Sequence, residues 1–277
     1  MFNYFSTNTI RPLSRRVHGA SHPFHLVDVS PWPILMSFAA LSGALALVSW
    51  LTLGINSTSL YILVTLNILV VFYLWLRDVV REGKAGYHTQ PVQDGLMLGF
   101  VIFLITEVLL FASFFWAFLH LSLNPAIELA QWPPVGIESI GAWGLPLLNT
   151  VLLLGCGFTL TWAHHAFIKG NKDTSLFGLI ITMVLIAIFL LVQFFEFSYG
   201  SYTISDSAYG SIFYSTTGLH GMHIIVALIM IGVSTFRIWT DQITSNHSLS
   251  LDTAIVYTHF TDVVWLAVFA LFYYWGA

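Results

Sequence analysis

The residues best placed to do chemistry are acids and imidazoles set inside long apolar stretches. Glu107 stands in Ile105-Thr106-Glu107-Val108, about eleven residues into such a stretch, so at ~1.5 Å per residue it lies near mid-bilayer. Asp262 lies at similar depth in the last stretch, and Glu196 near the outer end of the fifth. A charged group at mid-bilayer costs ~2.5–3.5 kcal/mol on insertion scales, so such residues are rare and usually functional. Histidines accompany them: His220 and His223 on one helical face, His259 three residues before Asp262, and His120, His164 and His165 at stretch ends.

Three chemistries compete for this set. A redox centre would need axial imidazoles on facing helices for haem, or several imidazoles around one copper. His220 and His223 share a face, but no second helix offers a matched pair. A transport path would relay protons or bind ions through Glu107, Asp262 and the histidines. Transporter helices tend to be interrupted, and no proline interrupts a span interior here. A structural reading has buried acids, protonated or paired with histidine, pinning helices together. For His259 and Asp262, spaced i, i+3, the structural reading leads. Arg77 and Arg237 each close an apolar stretch, where a guanidinium can hold a phospholipid phosphate through paired hydrogen bonds. Ordinary snorkelling would place them equally well.

The elements that position these residues follow from composition. Of the 277 residues, 57% are hydrophobic and only 8% charged, against roughly a quarter charged in soluble domains. Such a chain cannot cover a water-facing surface, so its solvent is lipid. Seven apolar stretches run at about 33–54, 59–76, 96–121, 145–165, 175–198, 210–237 and 252–275. Only helices can fill them, because lipid leaves no partner for a strand edge. The longest polar connection, 77–94, follows the second span and predicts a two-helix unit separable from the later five. Single Cys156 rules out a disulfide framework. The tail before the first span is basic and acid-free as far as Asp28, and is expected to be retained rather than cleaved as a signal.

Charge placement tests the span count. The nine Lys and Arg residues fall at 11, 15, 16, 77, 81, 84, 169, 172 and 237, all in the N-terminal tail and the second, fourth and sixth connections. The other connections hold Glu128, Glu138 and Asp206 and no base. Basic loops are the cytoplasmic type, so the N-terminus is expected inside and the C-terminus outside. Trp32, Trp75, Trp116, Trp132, Trp143, Trp162, Trp239, Trp275 and the pair Tyr273–Tyr274 suit an interfacial belt.

Several segments carry a family resemblance. They are His22-Pro-Phe-His-Leu-Val-Asp-Val-Ser-Pro-Trp-Pro33, Trp75-Leu-Arg-Asp-Val-Val-Arg-Glu82, Thr106-Glu-Val108, Phe114-Phe-Trp-Ala-Phe-Leu-His120 and Trp132-Pro-Pro134. Then come Pro146-Leu-Leu-Asn-Thr150, Thr161-Trp-Ala-His-His165, Tyr202-Thr-Ile-Ser-Asp206 and Gly218-Leu-His-Gly-Met-His223. Thr244-Ser-Asn-His247, His259-Phe-Thr-Asp-Val-Val-Trp265 and Tyr274-Trp-Gly276 complete the series. In this order they resemble subunit III of aa3-type cytochrome c oxidases in the mitochondrial form, over nearly the whole chain except the residues before about 20.

The resemblance implies an all-α membrane protein of seven transmembrane helices, in two-helix and five-helix bundles around a V-shaped lipid-filled cleft. The expected division is a matrix-side tail 1–32, helices one and two in 33–76, a matrix-side loop 77–95 and a five-helix bundle 96–277. It further implies a subunit without its own active site, haem or copper, the haem a and copper residing in partner subunits of the proton-pumping terminal oxidase. The family's buried, carbodiimide-reactive glutamate maps onto Glu107, expected to couple to His223 or His220, and its lipid-phosphate arginines map onto Arg77 and Arg237. Implied partners are catalytic subunit I chiefly, subunit II, accessory subunits and cleft phospholipids, with a respiratory supercomplex left open and no nucleic acid. The implied roles are to stabilise subunit I, bind phospholipid and support proton uptake, with oxygen delivery through lipid as a further candidate role. The implied location is the mitochondrial inner membrane, N-terminus in the matrix and C-terminus in the intermembrane space. An independent proton-linked multi-pass transporter is the alternative.

Overall fold

A computed structural model describes residues 22–54, 57–124, 131–244 and 247–276. Arg11, Arg15, Arg16 and Glu128 lie outside these described residues. The elements are α1 (Trp32–Leu51), α2 (Thr58–Lys84), α3 (Gln90–Leu123), α4 (Leu145–Ile168), α5 (Lys172–Tyr199), α6 (Ala208–Trp239) and α7 (Leu249–Val268), which runs on as a π-helix, Phe269–Trp275. Seven helices of the described residues are long and apolar enough to cross a membrane, so the fold is an all-α membrane fold. Among the described residues the β pairing is confined to an isolated bridge between Thr244 and His247.

Start signals sit where local chemistry puts them. Proline occupies the first turn of α1 and α4, where a missing N–H costs nothing. Ser57, Asn171 and Ser207 cap α2, α5 and α6 by accepting from Leu60, Thr174 and Gly210 backbone N–H groups at 3.4, 3.2 and 3.1 Å.

One expectation needs correcting. The segment 77–95 is mostly helix, with α2 continuing to Lys84 and α3 starting at Gln90. Charged residues mark where hydrocarbon ends, but Arg, Asp, Glu and Lys do not end a helix. At 34 residues, α3 would measure ~51 Å against a hydrocarbon core of ~30 Å.

The chain divides into two compact units, Met1–Leu96 and Met97–Ala277. In the first, α1 and α2 form an antiparallel pair. Gly43 leaves room for Ile68, and the Trp32 indole N–H donates to Asp78 Oδ2 at 2.9 Å, tying the start of α1 to the end of α2. Ala39, Ala46 and Val71 are buried, while most other apolar side chains of this pair are exposed. Lipid tails are as apolar as leucine, so that exposure carries no hydrophobic penalty.

In the second unit, α4 and α5 approach closely. A Cβ at Gly178 would lie 2.8 Å from the Ala163 Cβ, and the Thr159 and Thr182 hydroxyls bond at 2.7 Å. Such small-residue contacts let helix backbones approach in lipid. The core includes Leu153, Leu160, Ile186, Phe189, Phe213, Trp265 and Phe272. The α3 helix joins this unit along Leu104, Phe111 and Phe118, a seam with the sevenfold spacing that keeps one face on its neighbours.

Candidate functional site: acids and imidazoles inside the bundle

Glu107 sits in the α3 seam between Leu104 and Phe111, three to four residues from each. Its Oε2 lies 3.0 Å from His223 Nε2 on α6, with side-chain exposures of 17% and 10%. His223 Nδ1 lies 2.8 Å from the Leu219 carbonyl oxygen. A carbonyl can only accept, so Nδ1 carries a hydrogen. Two acceptors would then face each other across the Nε2–Oε2 line unless one more proton occupied it. The pair therefore holds that proton, either as carboxylate with imidazolium or as carboxylic acid with imidazole. Phe111 meets the His223 ring edge-on at 5.0 Å and Tyr257 stacks on it at 6.1 Å. These rings hold the imidazole in place beside the carboxyl.

His220 is not the partner of Glu107. Its Nε2 donates to the Thr261 backbone carbonyl on α7 at 3.1 Å, and the ring packs on Trp265 at 5.2 Å. The residue is fully buried, and its Nδ1 has no hydrogen-bond partner among the described residues. Thus one helical face of α6 reaches two neighbours, α3 through His223 and α7 through His220.

Asp262 and His259 face α4. His259 Nδ1 lies 3.7 Å from Asp262 Oδ2, and His259 Nε2 is 3.5 Å from the Thr161 hydroxyl. A Cβ at position 157 would come within 3.3 Å of Asp262 Oδ2, so Gly157 makes the space for the carboxyl.

A third group was not assembled by sequence reasoning, which flagged Glu196 alone and gave it no partner. Here Asn149 Nδ2 donates to Gln193 Oε1 at 3.3 Å, and Gln193 Nε2 donates to Glu196 Oε1 at 3.1 Å. The Tyr273 hydroxyl, on the π-helical turn, donates to the same Glu196 oxygen. Tyr273 is thus buried at 1% exposure and belongs to the core rather than to an interfacial belt. Gln193 and Glu196 at i, i+3 were the available signal, because two amide or acid groups on one helix face need partners.

The arginines differ from each other. Arg77 already faces Asp78, with Nε and the terminal nitrogen each 2.9 Å from Oδ1, and Asp78 also takes Trp32. Arg237, at the end of α6, has a buried Nε with no hydrogen-bond partner among the described residues. At the same end of the bundle, Lys172 Nζ donates to the Trp239 carbonyl at 2.9 Å and to Asp241 at 2.7 Å. His164 bonds Asp252 at 3.2 Å there as well, joining the end of α4 to the start of α7.

Long apolar helices joined through buried acids, imidazoles and a phenol define a polytopic helical membrane protein. The model of the family "Cytochrome c oxidase subunit III" matches residues 22–277. Cytochrome c oxidase subunit 3 of Yarrowia lipolytica is 48% identical over 257 residues, covering 92% of this chain and 96% of its own length. The Saccharomyces cerevisiae protein of that name is 45% identical over 257 residues, with the same coverage. The Rhizopus stolonifer protein is 45% identical over 276 residues, 99% of this chain and 97% of its own length, so its similarity reaches into the N-terminal tail. The chain belongs to the cytochrome c oxidase subunit III family.

Proposed function

We propose that this chain is a core, non-catalytic subunit of a respiratory terminal oxidase in the mitochondrial inner membrane. That complex reduces oxygen to water with electrons from cytochrome c and pumps protons. The observation that carries the reading is the family match across 22–277, together with the seven helices it needs. Electron transfer belongs to the haem a and copper of partner subunits I and II. The imidazoles of α6 support this, since both ring nitrogens of His223 and one of His220 are engaged in helix-to-helix or intrahelical bonds.

Within the complex the chain stabilises subunit I and supports proton uptake. Glu107 acts as a buried carboxyl locked to His223, not as an obligatory pump residue. Arg237, whose Nε lacks a protein acceptor among the described residues, and Arg77 hold phospholipid phosphates. The N-terminus faces the matrix. In support, Lys169 at the end of α4, Lys172 at the start of α5 and Arg237 in the last turn of α6 lie at one end of the second unit, where Lys172 bonds the end of α6.

The deciding experiment replaces Glu107 by Gln in the assembled oxidase. Glutamine can donate to the bare Nε2 of His223, so helix contact persists without the shared proton. Electron transfer retained within about twofold is expected; loss of basal turnover would contradict a non-catalytic role.

A further inference from the structure

We propose that His25, Glu82 and His88 form a binding site for a divalent transition-metal ion of the zinc class. Each residue offers one ligand atom, the three atoms lie within 4.8 Å of one another, and all three residues are half-buried. Ligands around tetrahedral zinc at ~2.0–2.2 Å stand about 3.4 Å apart. Closing on an ion therefore asks for a shift of about 1 Å, within reach of a rotamer adjustment at half-buried side chains.

The backbone builds this convergence from three separate places. Glu82 is on the last turn of α2. Gly86, at φ +85°, reverses the chain in a conformation that glycine adopts without strain. The Tyr87 N–H donates to the Glu82 carbonyl at 3.2 Å and the Gly86 N–H to the Gly83 carbonyl at 3.0 Å, a glycine-ended helix stop. The reversal lays the His88 ring over Gly83, where a Cβ would come within 3.0 Å of His88 Nδ1. His25 arrives from the segment before α1. Its ring stacks on Tyr87 at 4.9 Å and 17°, and the Thr89 hydroxyl donates to the Pro23 carbonyl at 2.5 Å.

Ligand type selects the metal. Two imidazoles and one carboxylate suit zinc and its divalent neighbours, whereas calcium and magnesium take all-oxygen shells. Three protein ligands leave a fourth position for water. Because His25 precedes Glu82 by a whole helical hairpin, an ion would clamp the segment before α1 onto the α2–α3 turn.

The test uses the assembled membrane complex containing this chain, stripped with chelator and titrated with radioactive zinc. The wild-type complex should bind one more zinc ion than complexes carrying His25→Ala, Glu82→Gln or His88→Gln. Each substitution should weaken that site at least about 100-fold. His25→Cys keeps a ligand in place and should retain the ion, with an unchanged amount of this chain per purified complex certifying assembly in every variant. Zinc should also slow amide exchange of residues 22–27 in wild type and not in His25→Ala. Equal zinc stoichiometry in wild type and all three ligand variants would overturn the site. So would identical loss in His25→Ala and His25→Cys, which would assign the effect to packing.

Discussion

At the scale of single residues, what a polar group inside this bundle can do is decided by how many partners it has. Glu107 and His223 are locked by one proton, a carbonyl and two aromatic rings. Glu107→Gln keeps a hydrogen bond, while Glu107→Ala leaves His223 Nε2 buried and unpaired at a cost of about 1–3 kcal/mol. The alanine variant should therefore melt at a lower temperature than the glutamine variant in detergent thermal unfolding of the complex; equal melting would argue against the pair. The arginines should rank by their existing partners. Arg77 shares Asp78, whereas Arg237 has a buried Nε with no partner among the described residues. Arg237→Ala should accordingly strip more phospholipid from the purified complex than Arg77→Ala, as read by mass spectrometry of retained lipid.

At the scale of elements, helix association rests on close approach rather than on hydrophobicity. The α4–α5 contact at Gly178 leaves no space for a side chain beside Ala163. Gly178→Leu should force the helices apart at about 1–3 kcal/mol, seen as reduced yield of assembled complex and a lowered melting midpoint. Gly95, with no atom of the described residues within 4 Å of its Cβ direction, should accept alanine without loss. The α5–α6 connection is held by charge instead. The Thr203 backbone N–H donates to Asp206 Oδ2 at 2.7 Å and holds that carboxyl below its usual 3.8. A depressed carboxylate pKa stabilises the loop fully above the unfolded value and loses that contribution as pH falls through the folded value. Thr203 amide exchange, relative to its intrinsic rate, should rise only as pH falls below the usual aspartate value of 3.8, and Asp206→Asn should remove that pH dependence. Nearby, burial pushes the Tyr202 phenol up, so it stays neutral and serves as packing against Tyr209 and Phe213.

At the scale of the molecule, the crossing pattern is testable by accessibility. Cys156 is fully buried, so it contributes little background to thiol labelling. In mitochondria with the outer membrane opened, Ser205→Cys should react with an impermeant maleimide and Lys169→Cys should not until the inner membrane is breached. Both positions are exposed in the chain. The reverse pattern would invert the proposed orientation.

Span number and helical class were legible in the sequence, because lipid imposes a length and a composition on any chain crossing it. The candidate site residues were picked out by their apolar context, and the family resemblance added expected roles for Glu107, Arg77 and Arg237. Helix ends were less legible, since Arg77 to Lys84 stop the apolar run without stopping α2. Partnership was not legible at all where helices are apolar on every side. Nothing along α3 marks the face carrying Leu104, Glu107 and Phe111, so only packing could choose His223 over His220. Tyr273 and Tyr274 are adjacent and chemically alike, yet one reaches Glu196 in the core and the other is exposed. Composition and periodicity act along the chain, whereas a buried proton, an acid's partner and a three-residue ligand set are decided across it.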